Sequence, residues 1–190
     1  MIAERRQHRR NPELNRAAIL AAARAAFAEM GYARASIREI AQRAGVTHGL
    51  VMRHFGSKEQ LFLAAMPGSG DLEDLMPGEP DAVPERIARA YVDRMEAAEG
   101  NDPFIALIRS AATDEQAATR LYAAMRERSF HAYRPLLDGP DAEIRVDLLG
   151  AHLIGVTFSR YVVRTGPLAD LVPEDLVGYL AGTLRQILYG

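Results

Sequence analysis

The sequence predicts an all-α protein of two domains and about nine helices. Three observations carry this expectation. Apolar residues recur three and four apart along most of the chain, and no stretch alternates apolar with polar as a half-buried strand would. Helix-start boxes of the form S/T-x-x-E/Q stand at Ser36–Glu39, Ser57–Gln60 and Thr113–Gln116, and Gly or Pro closes the periodic runs. Between two such series lies Pro67 to Pro84, rich in Pro, Gly and acidic residues, as a linker would be. The boundaries that follow are a basic arm over 1–12, an N-terminal domain over 13–66, a linker over 67–83 and a C-terminal domain over 84–190.

The arm, MIAERRQHRRNP, is polar and carries Arg5, Arg6, Arg9 and Arg10. The first helix is expected from Glu13 to Met30, with Ile19, Leu20, Ala23 and Phe27 on one face and Gly31 just past its end. Ser36 then opens a short helix whose stripe is Ile37, Ile40, Ala41 and Ala44, and Gly45 ends it where a positive φ is needed. Thr47 can cap the next helix, which buries Val51 and Phe55 and turns His48, Gly49, Met52 and Arg53 outward. Ser57 opens a fourth, with Leu61 and Phe62 on its apolar face. Two short helices around a glycine turn, the second showing polar and basic groups to solvent, form the layout of a helix-turn-helix DNA reader.

Charge agrees with that layout. Residues 1–66 hold 11 Lys+Arg against 5 Asp+Glu, a net of +6, while residues 67–190 hold 12 against 20, a net of −8. A basic third on an acidic body is expected where one end meets a polyanion.

The pieces Phe27 with Gly31-Tyr32, Ser36 to Ala41, Ala44 to Thr47, His54-Phe55 and Ser57 to Glu59 stand in an order and spacing that resembles the TetR-type (tetracycline-repressor-like) transcriptional regulators, over about Ala18 to Ala65. The family usually has tyrosine where Met52 stands and a small or hydroxyl residue where Leu50 stands. The resemblance implies a homodimer on a palindromic double-stranded operator, released by an unidentified small-molecule effector. Thr47, His54 and Lys58, the only lysine in the sequence, resemble positions that touch phosphates. Ser36 and Arg38 fall where the first reader helix meets the backbone, and His48, Gly49, Met52 and Arg53 should face the major groove. Arg53 can pair with guanine, and Met52 offers only apolar contact. An alternative follows from the Leu50 and Met52 departures: a helical small-molecule-binding or interaction module whose helix-turn-helix does not read DNA.

Five further helices are expected beyond the linker, the last two from about Asp141 to Thr165 and from Pro173 to Leu188. Tyr91, Met95, Phe104, Ile108 and Tyr122, together with Met125, Phe130, Tyr133 and His152, supply an apolar wall with a few polar groups. The resemblance places an effector cavity among these middle helices. Leu148, Ala151, Gly155 and Ser159 on one late helix, and Leu176, Leu180 and Leu184 on the other, are strips that fill either the monomer core or a four-helix subunit interface. The resemblance favours the interface.

Other classes lack support. The composition, 48% apolar and 25% charged, is that of a globular domain, and without cysteine there are no disulfides or thiolate metal sites. No two of the five His are three or four apart, and G-x-S-x-G, Walker-type and H-E-x-x-H patterns are absent. No catalysis, cofactor or metal is therefore expected. Arg16 and Arg24 interrupt any signal-peptide-like run, and His152 and Arg160 interrupt the most apolar stretch, so the expectation is a cytoplasmic protein without a membrane partner.

Overall fold

The computed structural model describes residues 12–65, 72–97, 102–137 and 139–190, and no strand occurs among them. The arm expected before Pro12 lies outside these residues. The chain divides into two units, Met1–Met66 and Pro67–Gly190.

In the first unit α1 spans Pro12–Arg34 and buries Ile19, Ala23, Ala26 and Phe27. Gly31 interrupts it at φ 75, ψ 166, so the regular helix stops at the glycine and a last turn carries buried Tyr32. α2 spans Ile37–Arg43; the Glu39 N–H donates to Ser36 Oγ at 3.2 Å. The return half of that box is not what Glu39 does, because its Oε1 accepts from Arg43 at 2.8 Å. Gly45 turns the chain at φ 68. α3 spans His48–Phe55, with the Leu50 N–H donating to Thr47 Oγ1 at 3.3 Å. α4 spans Lys58–Ala65, with the Gln60 N–H on Ser57 Oγ at 3.1 Å. Phe62 seats the bundle: its ring meets Phe27 edge-on at 4.8 Å and Tyr32 at 5.0 Å. Ile19, Ile40, Val51 and Leu61 are sealed in the same unit, each contributing roughly 1.5–3 kcal/mol of burial.

In the second unit the segment expected to be a linker is partly structured. Leu72–Leu75 and Pro80–Ala82 form 3₁₀ turns, and Leu72, Leu75 and Met76 pack against the core. Arg86 fastens them by donating to the Leu75 carbonyl at 2.8 Å. Pro and acidic residues marked this stretch as irregular, which it is; its three large apolar side chains are what fold it back.

The helices that follow are α5 (Val83–Ala97), α6 (Pro103–Ala111), α7 (Glu115–Tyr133), α8 (Ala142–Val156), α9 (Pro167–Asp170) and α10 (Pro173–Tyr189). α7 is capped by Asp114, whose Oδ1 accepts from Ala117 at 2.9 Å, and not by Thr113, whose hydroxyl donates back to Arg109 at 3.2 Å. A carboxylate is the stronger acceptor at the positive end of a helix. α8 continues beyond Val156 as a π-helical stretch, Thr157–Val163, where the Arg164 N–H reaches back five residues to Ser159.

α10 lies along α5, and this corrects one expectation. Leu176, Leu180 and Leu184 do not offer an interface: they are 1%, 1% and 0% exposed, inside this chain's own core with Ile87, Tyr91 and Leu149. Their four-residue spacing marked a buried face, and its cover is α5 of the same chain.

Candidate nucleic-acid interface and effector core

α3 stands on Val51 and Phe55, which leaves His48, Gly49 and Arg53 exposed and Met52 half-buried on the other side. Sterically this face is open: among the described residues, apart from the adjoining residues and backbone of its own helix, nothing lies within 4 Å of where a Cβ at Gly49 would sit. Electrostatically it is selective. Arg43 is neutralised by Glu29 and Glu39, both at 2.8 Å. Arg24 donates to the Ala65 carbonyl at 2.6 Å, Arg34 to Met30 at 3.0 Å, and Arg16 lies over the Phe55 ring at 5.4 Å. Arg38 and Arg53, by contrast, are exposed and have no hydrogen bond or ion pair among the described residues. Their charge is available to an external anion, and a guanidinium fork suits both phosphate and the guanine edge.

The remaining candidates divide. Ser36 and Thr47 are exposed, and each hydroxyl oxygen accepts a cap bond while keeping its own proton to donate. His54 is half-buried with Nε2 enclosed and unpartnered, so that nitrogen does not reach a phosphate from this position. Lys58 is engaged within the chain: its Nζ donates to the Ala33 carbonyl at 3.1 Å and lies 4.6 Å over the Tyr32 ring.

In the second unit Tyr91, Met95 and Tyr133 share one buried core, against which Phe104 and Phe130 pack. Ile108, Tyr122, Met125 and His152 are half-buried on α6, α7 and α8. The Tyr91 hydroxyl lies 2.8 Å from Thr157 Oγ1 and donates to the Leu153 carbonyl at 3.3 Å, tying α5 to the π-helical end of α8. Burial pushes the Tyr133 phenol up to about 12, so it stays a neutral donor.

Two residues that the sequence did not mark for this site stand beside this group, one of them, Asp102, expected only as a helix cap. Arg94 lies over Phe104 at 5.1 Å and Tyr91 at 5.9 Å, and its Nε is 2.7 Å from Oδ2 of buried Asp102. The contact is an ion pair by distance, although the N–H is not aimed along it. Asp102 Oδ1 also accepts from the Phe104 N–H at 2.8 Å. Burial holds this carboxyl above its usual range, against the pull of Arg94. The signal for the pair was slight: an Arg three residues after Tyr91, and an acid just before Pro103.

The outer face of α8 and its π-helical extension is apolar. Ile144 is 62% exposed, Leu148 53%, Phe158 49% and Val162 37%, with Ala151 and Gly155 also exposed between them and Ser159 half-buried. These positions alternate in steps of four and three, the seam of a helix that packs lengthwise on another. The opposite face buries Val146, Leu149 and Leu153. By length and composition Ala142–Val163 is apolar enough to cross a membrane, yet it is fastened into its unit by charge: Arg126 pairs with Asp147 at 2.6 Å, and Arg160 with Glu96 at 3.0 Å. Arg160 also donates to the carbonyls of Leu168 and Leu171, each at 2.8 Å.

Comparison with known proteins agrees with the helix-turn-helix geometry. Residues 19–65 match the model for bacterial regulatory proteins of the tetR family, and residues 81–188 match that for the tetracyclin repressor-like C-terminal domain. An HTH-type transcriptional repressor of Mycobacterium tuberculosis is 57% identical over 54 residues, 28% of this chain and 29% of the relative. A second repressor of that organism is 31% identical over 115 residues, 58% of this chain and 50% of the other. The chain thus spans less than a third of the length of the first of these relatives. Among solved structures, a TetR-family regulator from Streptomyces coelicolor is 28% identical with a TM-score of 0.68, over 95% of this chain and 99% of that one. With family models matching both units, the second over more than half of the chain, the protein belongs to the TetR family.

Proposed function

We propose that this protein is a homodimeric transcriptional repressor that reads a palindromic operator through α3 and responds to a small effector held in its C-terminal core. One observation carries the reading: α3 shows an open, partly cationic face, with Arg53 uncommitted and Gly49 clear, on a helix pinned at its start by Thr47 and beneath by Val51 and Phe55. Arg53 would pair with guanine in the major groove, His48 would reach a neighbouring base edge, and Met52 would supply apolar contact to a thymine methyl. Arg38, Ser36 and Thr47 would hold the phosphates on either side.

Dimerisation follows from the seam on α8. Ile144, Leu148, Ala151, Gly155, Phe158 and Val162 form an apolar strip that water does not favour and a second copy would cover. The two-fold pairing would set two reading helices one turn of DNA apart, about 34–36 Å. The effector site is assigned to the core of Tyr91, Met95, Phe104 and Tyr133, where Arg94 and Asp102 add polar groups to an apolar wall. A ligand that prefers a conformation with another reader spacing would weaken operator binding by its differential affinity, typically about 1–3 kcal/mol.

Selection of bound fragments from random duplex DNA tests the reading. The expected product is a palindrome with half-sites one helical turn apart, bound far more tightly than random DNA at physiological salt. Recovery of unrelated sequences, with no preference over random DNA, would instead favour an interaction module whose helix-turn-helix is silent.

A further inference from the structure

We propose that Lys58 is a positioning residue for DNA reading: it clamps the start of α4 to the end of α1, fixes the angle of α3, and is not a phosphate ligand. The assignment rests on the proposed DNA-binding function and concerns how the reading helix is held.

The first observation is an apparent misplacement. Lys58 is the first residue of α4, where a cation faces the positive end of the helix dipole. A lysine there needs a compensating partner, and the chain supplies one. Its Nζ donates to the carbonyl of Ala33, in the short turn that follows Gly31 at the end of α1. The same ammonium lies 4.6 Å over the Tyr32 ring, so a cation–π attraction adds to the hydrogen bond.

The clamp has a second strand. Tyr32 is buried, and its hydroxyl donates to Glu59 Oε1 at 2.7 Å, so successive residues of α4 grip the same ring from two directions. The ring itself is seated between Phe27, at 6.3 Å, and Phe62, at 5.0 Å. Lys58 and Glu59 therefore bear on a fixed platform. They also stand next to the reading helix in sequence. Only Gly56 and Ser57 separate Phe55, the last residue of α3, from Lys58. Gly56 turns at φ 75 with its N–H on the Met52 carbonyl at 2.8 Å. So short a link passes any tilt of α4 to α3, and hence to Arg53 and His48.

The test separates clamp from phosphate ligand by salt dependence. A duplex selected from random DNA and a random-sequence duplex of equal length are titrated across a potassium chloride series. The temperature is one at which circular dichroism shows every variant folded. Lys58→Met should weaken binding to the selected duplex roughly ten-fold, leave random-duplex binding unchanged and leave the slope of log K against log salt unchanged. Lys58→Arg, which keeps charge, donors and ring contact, should restore the wild-type affinity. Tyr32→Phe, which keeps the ring but drops the Glu59 bond, should give a smaller loss of the same kind. The double variant should fall short of the sum of the two, because both act through one clamp.

A phosphate ligand present in two copies behaves otherwise. Its loss weakens both duplexes alike and reduces the magnitude of the slope by roughly 1.8; that result would overturn the assignment, as would full wild-type affinity in a folded Lys58→Met. Wild-type protein is the control for function itself. If it shows no preference for the selected duplex, the DNA-binding reading fails and the role of Lys58 in it fails too, whereas wild-type selectivity with a flattened slope in Lys58→Met overturns the Lys58 assignment alone.

Discussion

The two units solve opposite surface problems. In the first, α3 and α4 bury Val51, Phe55, Leu61, Phe62 and Leu63, and the face left to solvent is largely polar, with Arg38 and Arg53 uncommitted. In the second, most cations are spent on carboxylates or carbonyls, as with Arg89 on Glu174 at 2.7 Å and Arg145 on Asp141 at 2.8 Å, while an apolar seam on α8 is left in water. A free guanidinium keeps its hydration and waits at little cost for an anion. An exposed line of Ile, Leu, Phe and Val costs free energy until something apolar covers it. The difference says which surface should meet nucleic acid and which should meet another copy of the chain.

The largest effect expected breaks the second half of that comparison. Phe158→Glu and Leu148→Glu place charge in the seam without touching the core, so each should weaken self-association by at least ~30-fold. Operator affinity should fall with it, read by light scattering and fluorescence anisotropy, while circular dichroism stays that of a folded chain.

Leu184→Ala sharpens the contrast between the two faces of the C-terminal helices. This leucine is sealed in the monomer core, so the change should cost about 2–5 kcal/mol in urea unfolding, whether or not the subunits are paired. Seam and core thereby separate: one variant class loses partner, the other loses stability.

In the first unit Arg53→Ala should remove about 1–3 kcal/mol of discrimination at one guanine per half-site. Arg43→Ala, whose charge already belongs to Glu29 and Glu39, should leave base preference as it was. Equal effects from the two would deny that uncommitted charge is what marks the reading face.

The smallest effect is a pH dependence. Burial holds the His152 ring below its ordinary 6.5, so the folded chain resists a proton that the unfolded chain accepts. The sign follows: this contribution is intact well above 6.5 and is lost as pH falls through 6.5 toward the lower folded value. Stability in urea should decline over that window, and His152→Gln should flatten the decline.

Much of this molecule was legible residue by residue because its helix ends are local. Ser36, Thr47 and Ser57 cap the helices they were expected to cap, and Gly31 and Gly45 turn where positive φ was needed, since each depends on neighbours a few residues away. What failed was the question of what covers the last helix. The leucines at 176, 180 and 184 announced an apolar side, but periodicity is blind to whether α5 of the same chain or a partner lies on it. The acidic, proline-rich run after the first unit hid three core side chains. Thr113 and Asp114 both suited a cap, and the stronger acceptor won. The contacts that Lys58 makes with Ala33 and Tyr32 were not legible either, because α2 and α3 stand between them in the chain and they become neighbours only in the fold.

Sedimentation equilibrium of the chain with a selected palindromic duplex, at micromolar concentration, tests the central claim most directly. Two chains per duplex for the wild type, and a folded single chain in Phe158→Glu, is the result expected from a cationic reading face paired through an apolar seam. Wild-type protein that stays a single chain with the duplex present, or a Phe158→Glu dimer indistinguishable from wild type, would contradict it.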